Sequence, residues 1–175
     1  MPHRRRHELS CQARFLTFSC YHRLQLFNND AIKDALVRAI DEARDRHGFL
    51  LTAYVVMPEH VHLLLFPDLA VANVIDILKS LKTGFAMKVI KRWKAMSPPA
   101  PILDRLDHHG VTRFWQRGGG YDRNIYSREE LNEKNKYINE NPARRGLVSR
   151  PEQWHWSSAG WWQGIENQRI DMDRF

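Results

Sequence analysis

Two histidines, a tyrosine and an asparagine are the residues of this 175-residue chain whose types and spacing could do chemistry. His60 and His62 stand one residue apart in MPEHVHLLLF, at the mouth of an apolar run. Side chains alternate between the faces of a β-strand. His60, His62 and Leu64 then share one face, and Val61, Leu63 and Leu65 the other. The second face is uniformly apolar and can pack on helices. The first presents two imidazole nitrogens side by side on a rigid strand, which suits a metal ion. The competing account is a pair of histidines satisfied structurally.

Tyr137 and Asn141 are four residues apart in SREELNEKNKYINENP, which reads as a helix over 128–141. Ser127 followed by Glu130 makes a capping box at its start, and Pro142 is expected to end it. Leu131 and Ile138 are seven apart and mark the buried stripe. Tyr137 lies about 100° from Ile138, off the centre of that stripe. Asn141 shares its face one turn later. A phenol can be a nucleophile, and an amide oxygen can ligate a hard cation. Alternatively, Tyr137 packs at a helix edge and Asn141 caps the helix end.

The elements that must position these residues can be read along the chain. Residues 13–20 read as a strand. Residues 28–48 read as a helix, with Ile32, Leu36, Ala39, Ile40 and Ala43 at helical spacing and Gly48 as the stop. Residues 50–57 and 60–66 read as two antiparallel strands joined at Pro58 and Glu59. Residues 71–96 read as a long helix with Ile75, Leu78, Leu81, Phe85, Val89, Trp93 and Met96 on one stripe. Residues 97–110 form a Pro-rich connector with exposed His108 and His109. Two short strands, 112–116 and 121–126, follow around Gly118 to Gly120. This order predicts an α+β, ferredoxin-like (RRM-like) antiparallel sheet with helices on one face. The tyrosine-bearing helix and a Trp-rich tail complete it. Residues 1–150 form the domain and 151–175 the tail, packed on or near it.

Composition narrows the partner. Hydrophobic residues are 43% and charged residues 27%, as in a globular protein, but the net charge is +7. That surplus suits a polyanion. No run approaches the roughly 18 apolar residues of a membrane span. MPHRRRHELS lacks the apolar core of a secretory signal, and Cys11 and Cys20 make no disulfide framework. A cytoplasmic protein that binds nucleic acid, with no membrane partner, is expected.

The motifs carry a resemblance. HVH within MPEHVHLLL looks like the His-hydrophobe-His motif of single-tyrosine HUH transposases. KYINENPARRGLV resembles that family's tyrosine helix. FWQ before a Gly-rich turn, and PEQWHWSS, look like the branch of REP-associated tyrosine transposases. The likeness runs from about Phe15 to Trp162. It implies that His60 and His62 bind Mg²⁺ or Mn²⁺, with Asn141 where a third ligand is expected. It implies that Tyr137 attacks a phosphate of single-stranded or hairpin DNA, such as REP-like repeats or element ends, leaving a 5′-phosphotyrosine and a free 3′-OH. Monomers and homodimers both occur in the family. Many members carry an aromatic-His-Asp run after the glycines, where this chain has Tyr121, Asp122, Arg123 and Asn124.

Candidate DNA contacts are Arg4, Arg5 and Arg6 in a basic arm, Lys79 and Lys82 on the long helix, Arg117, Arg123 and Arg150. Trp154 and Trp156 could stack bases or pack the tail on the domain. Glu59 is expected to serve the turn or support a ligand. Gly118 to Gly120 would either let DNA approach the backbone or form a plain loop. Tyr121 and Tyr126 are rival nucleophiles without a ligand partner at helical spacing. A non-catalytic single-strand DNA- or RNA-binding module on the same fold is the competing function.

Overall fold

The computed structural model describes residues 12–118, 120–166 and 168–174. The expected basic arm, Arg4 to Arg6, and Cys11 lie outside these residues. The chain begins with β1 (Arg14–Ser19), α1 (Asp30–His47), β2 (Leu50–Val56), β3 (His60–Phe66) and α2 (Val74–Lys94). It continues through α3 (Ile102–Leu106), β4 (Asp107–His108), β5 (Val111–Thr112) and β6 (Tyr121–Asn124). It ends with α4 (Arg128–Arg144) and α5 (Ala159–Trp162).

Local chemistry sets the helix ends. The Asn29 side chain accepts from the Ala31 and Ile32 amides, and Gly48 takes a left-handed φ of 66° to stop α1. Asn73 caps α2 and Ser127 caps α4 in the same way. Pro142 does not end α4 as expected; the helix runs to Arg144. Pro142 falls in the last turn, so it removes one intrahelical bond where few remain to be lost.

The main sheet has the order β2-β3-β1-β6 with every pairing antiparallel. β1 and β2 thus run parallel with β3 between them, a split βαβ unit. Both faces are buried. Leu16, Phe18, Tyr54, Val56, Val61, Leu63 and Leu65 pack with the apolar stripes of α1 and α2. Phe15, Ala53, Val55 and Leu64 pack with Ile138 and Leu131 of α4. Helices therefore cover both faces, with α4 alone on the side that carries the histidines. The stripe of α2 runs through Val74, Ile77, Leu81, Phe85 and Val89. Ile75 and Met96, expected on it, are exposed, because each sits about 100° away from a buried neighbour or past the helix end.

Residues 112–116 do not form the expected strand. β5 makes only a two-residue hairpin with β4, and Phe114 and Trp115 turn into the core instead. Phe114 stacks on Trp93 with ring centres 5.7 Å apart, and the Trp115 indole donates to the Lys82 carbonyl. Gly120 has φ 73°, and a Cβ there would sit 2.0 Å from the Thr17 carbonyl oxygen. Glycine at this position lets the loop approach its own β1 strand. A buried pair, Arg14 with Asp122, then fixes β6 to β1 through bonds of 2.7 to 2.9 Å.

The tail covers the open edge of β2. The Val56 amide donates to the Trp156 carbonyl, Ser158 donates to Tyr54, and Asp173 donates to Leu51. An exposed strand edge invites pairing with other chains, and this segment removes it. No helix among the described residues is long and apolar enough to cross a membrane.

Candidate active site

β3 starts at His60, so its alternation turns His60 and His62 toward α4, as the sequence pattern requires. Their Nε2 atoms face each other at 3.0 Å. Each ring is held from behind. The Glu59 carboxylate lies 2.9 Å from His60 Nδ1, and the Thr17 hydroxyl lies 2.7 Å from His62 Nδ1. A carboxylate can only accept, so Glu59 fixes His60 as the Nδ1–H tautomer and leaves the Nε2 lone pair forward. Both rings are buried, His60 8% exposed and His62 5%.

α4 delivers the other two residues. Ile138 inserts into the core, which turns Asn141 inward and leaves Tyr137 at the rim. Asn141 is buried, and its Nδ2 lies 3.4 Å from His62 Nε2. Its Oδ1 is buried with no hydrogen-bond partner. A half-turn of the amide exchanges its two ends in nearly the same space. Tyr137 is 38% exposed, and its ring lies edge-on to His62 at 5.5 Å and to Phe15 at 6.1 Å. Phe15 also stacks on His62 at 5.4 Å. Arg144 approaches the Tyr137 ring at 6.0 Å.

Electrostatics keep both imidazoles neutral. Burial pushes His62 down to about 3, with His60 adding to the shift. Burial also lowers His60, against an opposite pull from Glu59. Burial would push Glu59 up, but the Arg145 hydrogen bond and then His60 hold its carboxyl below the ordinary range. Arg145 and Glu59 form a close ion pair between the end of α4 and the turn before β3.

This donor set fits a hard divalent cation. Two neutral imidazole nitrogens converge, each backed by a hydrogen-bonded partner, beside an orphaned amide oxygen. Adjacent ligands in an octahedron with bonds of about 2.1 Å stand about 3.0 Å apart, which matches the Nε2 pair. No group of three His, Cys, Asp or Glu side chains with metal-ligand spacing occurs among the described residues. The third donor here is an amide, a type outside that set.

The remaining candidates are spread over the surface. Lys79 is exposed on α2, while Lys82 lies partly buried over the Phe18 and Trp115 rings. Arg117 is exposed; Arg123 pairs with Glu130 at 2.6 Å and Arg150 with Glu152 at 3.2 Å. Trp154 donates to the Val56 carbonyl and Trp156 to the Asp34 carboxylate. Lys33 and Arg169 lie against the Trp156 ring. These contacts anchor the tail. Tyr121 and Tyr126 are exposed, and Tyr126 lies at the start of α4, away from the histidines. Sequence reasoning missed Thr17, Phe15 and Arg145. The alternation of β1 could have placed Phe15 and Thr17 on the histidine face; Arg145 was hidden behind the expected helix stop at Pro142.

Residues 9–141 match the family model described as Transposase IS200 like. The whole fold is similar to a REP-associated tyrosine transposase solved with a REP hairpin, at 20% identity and a TM-score of 0.70. That likeness covers 100% of this chain and 99% of the other. A transposase-like chain from Deinococcus radiodurans is similar at 21% identity and a TM-score of 0.47, covering 81% of this chain and 97% of its own. No curated protein matches.

Proposed function

The chain belongs to the IS200-like transposase family, and from that premise we propose that it is a metal-dependent single-strand DNA endonuclease and strand transferase. The observation that carries the proposal is the convergence of His60 Nε2, His62 Nε2 and the Asn141 amide beneath the Tyr137 ring. The ferredoxin-like reading of the sheet rests on its strand order and split βαβ unit.

His60, His62 and Asn141 would hold Mg²⁺ or Mn²⁺, which when bound supplies polarisation of the scissile phosphate. The phenol oxygen of Tyr137 forms a new bond to phosphorus, and the bond from phosphorus to the 3′-oxygen breaks. The phenol loses its proton as the departing 3′-oxygen gains one. The products are a 5′-phosphotyrosine and a free 3′-OH. Phosphodiester energy is conserved, so a 3′-OH can later rejoin the strand without ATP. A phenol is a weak nucleophile at neutral pH, and orientation must compensate. α4 supplies it: Ile138 anchors the helix, and Phe15 with His62 restricts the Tyr137 ring. Glu59 and Thr17 set the two ligand rings, and Arg145 holds Glu59.

The DNA we propose is single-stranded or hairpin, as REP-like repeats or element ends would present, handled in the cytoplasm by a monomer or homodimer. Lys79, Lys82 and Arg117 are the basic candidates that no carboxylate among the described residues occupies, and Lys82 and Arg117 line one cleft. A binding module without chemistry would have no use for a phenol above paired imidazoles. The test is incubation of the full chain with a library of single-stranded hairpins and Mn²⁺. Covalently attached DNA is then sequenced. Recovery of discrete sequences supports the proposal; binding without any covalent product sinks it in favour of a binding module.

A further inference from the structure

A second feature lies at the sheet edge beside the site. Where the chain enters β6, a cleft of about 190 Å³ is lined by Thr17, Ser19, Arg23, Lys82, Arg117 and Tyr121 among others. Three cations converge there, and none of its described lining residues is acidic. Among the described residues, Arg23, Lys82 and Arg117 form no ion pair with a carboxylate. Arg123, Arg144, Arg145 and Arg150, by contrast, each have a carboxylate within reach. Lys82 is the costliest of the three. Burial over Phe18 and Trp115 pushes its ammonium toward the neutral form. A cation removed from water without an anion is unfavourable, and a bound anion relieves that cost. Arg23 adds a second sign of construction, since it holds a left-handed φ of 55°. Non-glycine residues rarely adopt that conformation.

The cleft is contiguous with the catalytic face. Thr17 lines it and also bonds His62 Nδ1. Thr17 pairs directly with His62 across the β1–β3 ladder, and Ser19 with His60. The cleft is thus about one strand spacing, roughly 4.8 Å, from the ligand strand. On its rim Tyr121 is 52% exposed, and its ring meets Phe15 at 6.0 Å, the same ring that braces Tyr137.

We propose that this cleft binds a backbone phosphate of single-stranded DNA flanking the scissile phosphate, with the adjoining base against the Tyr121 ring. The proposal rests on the transferase reading for the identity of the polyanion. Arg23, Lys82 and Arg117 neutralise the phosphate, and Tyr121 supplies the stacking surface. The strand is then threaded from the cleft across Phe15 to Tyr137, which fixes the polarity in which it meets the nucleophile.

The test measures binding of the full chain to a fluorescein-labelled, mixed-sequence single-stranded DNA in chelator, across a salt series. Each phosphate contact on a single strand contributes a slope of about −0.7 in log affinity against log salt. The Lys82→Gln/Arg117→Gln variant should lose about 0.7 of the wild-type slope, the share of the one phosphate, and Tyr121→Ala should weaken binding at least about fivefold, as loss of one stacked base does. Tyr121→Phe should restore it. Lys91→Gln, on the far part of α2, should keep the wild-type slope. An unchanged slope in the double variant with a wild-type melting temperature overturns the cleft, as does an equal loss in Lys91→Gln. Should Lys82→Gln prevent folding, Arg117→Gln alone, at an exposed residue, must still lower the slope, by part of the roughly 0.7 that the phosphate contributes. Covalent capture separates this from the transferase reading. Capture by the wild type with no slope change overturns the cleft alone; a slope change with no capture overturns the transferase alone.

Discussion

Asn141 Oδ1 is buried without a hydrogen-bond partner, and the other end of the same amide lies 3.4 Å from His62 Nε2. A buried polar atom left unpaired costs about 1 to 3 kcal/mol. Evolution of a purely structural site would favour a partner or an apolar residue there. A cation held by His60, His62 and this oxygen, as proposed above, would account for the arrangement.

Metal affinity follows directly. Asn141→Ala should weaken Mn²⁺ binding roughly tenfold or more, and His62→Ala should abolish it. Neither should unfold the protein, since Ile138 and not Asn141 anchors α4. Electron paramagnetic resonance of Mn²⁺ titrated into each variant reads this without any DNA. Wild-type affinity in Asn141→Ala would remove the amide from the ligand set.

Glu59 and Arg145 should behave as a pair. Glu59→Gln removes the charge behind His60 and should cost 10- to 100-fold in metal affinity. Arg145→Met leaves the nearly buried Glu59 carboxylate without its cation. Because Arg145 is itself 43% exposed, the stability cost should be nearer about 1 kcal/mol than the 3 to 5 of a fully buried pair. Chemical denaturation of Arg145→Met and the double variant measures it. Additive losses would mean that the two side chains do not act together.

Acid should loosen the site. His62 is held near 3 in the folded chain, and His60 is also lowered. An unfolded histidine titrates near 6.5. Below that pH the unfolded chain binds more protons than the native one. The neutral pair's contribution is therefore complete above about pH 6.5 and is lost as pH falls toward 3, by up to about 1.4 kcal/mol per pH unit per proton. Melting temperature should drop between pH 7 and pH 4, and His62→Gln should flatten that slope. An equal slope in the variant would assign the acid sensitivity elsewhere.

Part of this site is legible in the sequence and part is not. Period-two alternation placed His60 and His62 on one face, and period-3.6 spacing placed Tyr137 one turn before Asn141. Both survive because each belongs to an element with a strong apolar stripe, Val61–Leu63–Leu65 and Leu131–Ile138. Residues 112–116 misled because β-formers can also be core aromatics, and Phe114 and Trp115 fill the space beside Trp93. Thr17 and Arg145 join the site only through strand register and the helix turn past Pro142. Those are tertiary facts that no local spacing carries.

The central claim is that Tyr137 becomes covalently joined to DNA. Labelled single-stranded hairpins recovered from the library are incubated with Mn²⁺ and resolved on a denaturing gel. The shifted band is mapped by peptide mass spectrometry. The wild type should carry the nucleotide on the peptide containing Tyr137. Tyr137→Phe removes only the hydroxyl, so the ring still packs on Phe15 and His62. Its folding and DNA binding should persist while cleavage and adduct vanish together. Tyr121→Phe and Tyr126→Phe should still form the adduct. An adduct on Tyr121 or Tyr126, or one that persists in Tyr137→Phe, would contradict the account.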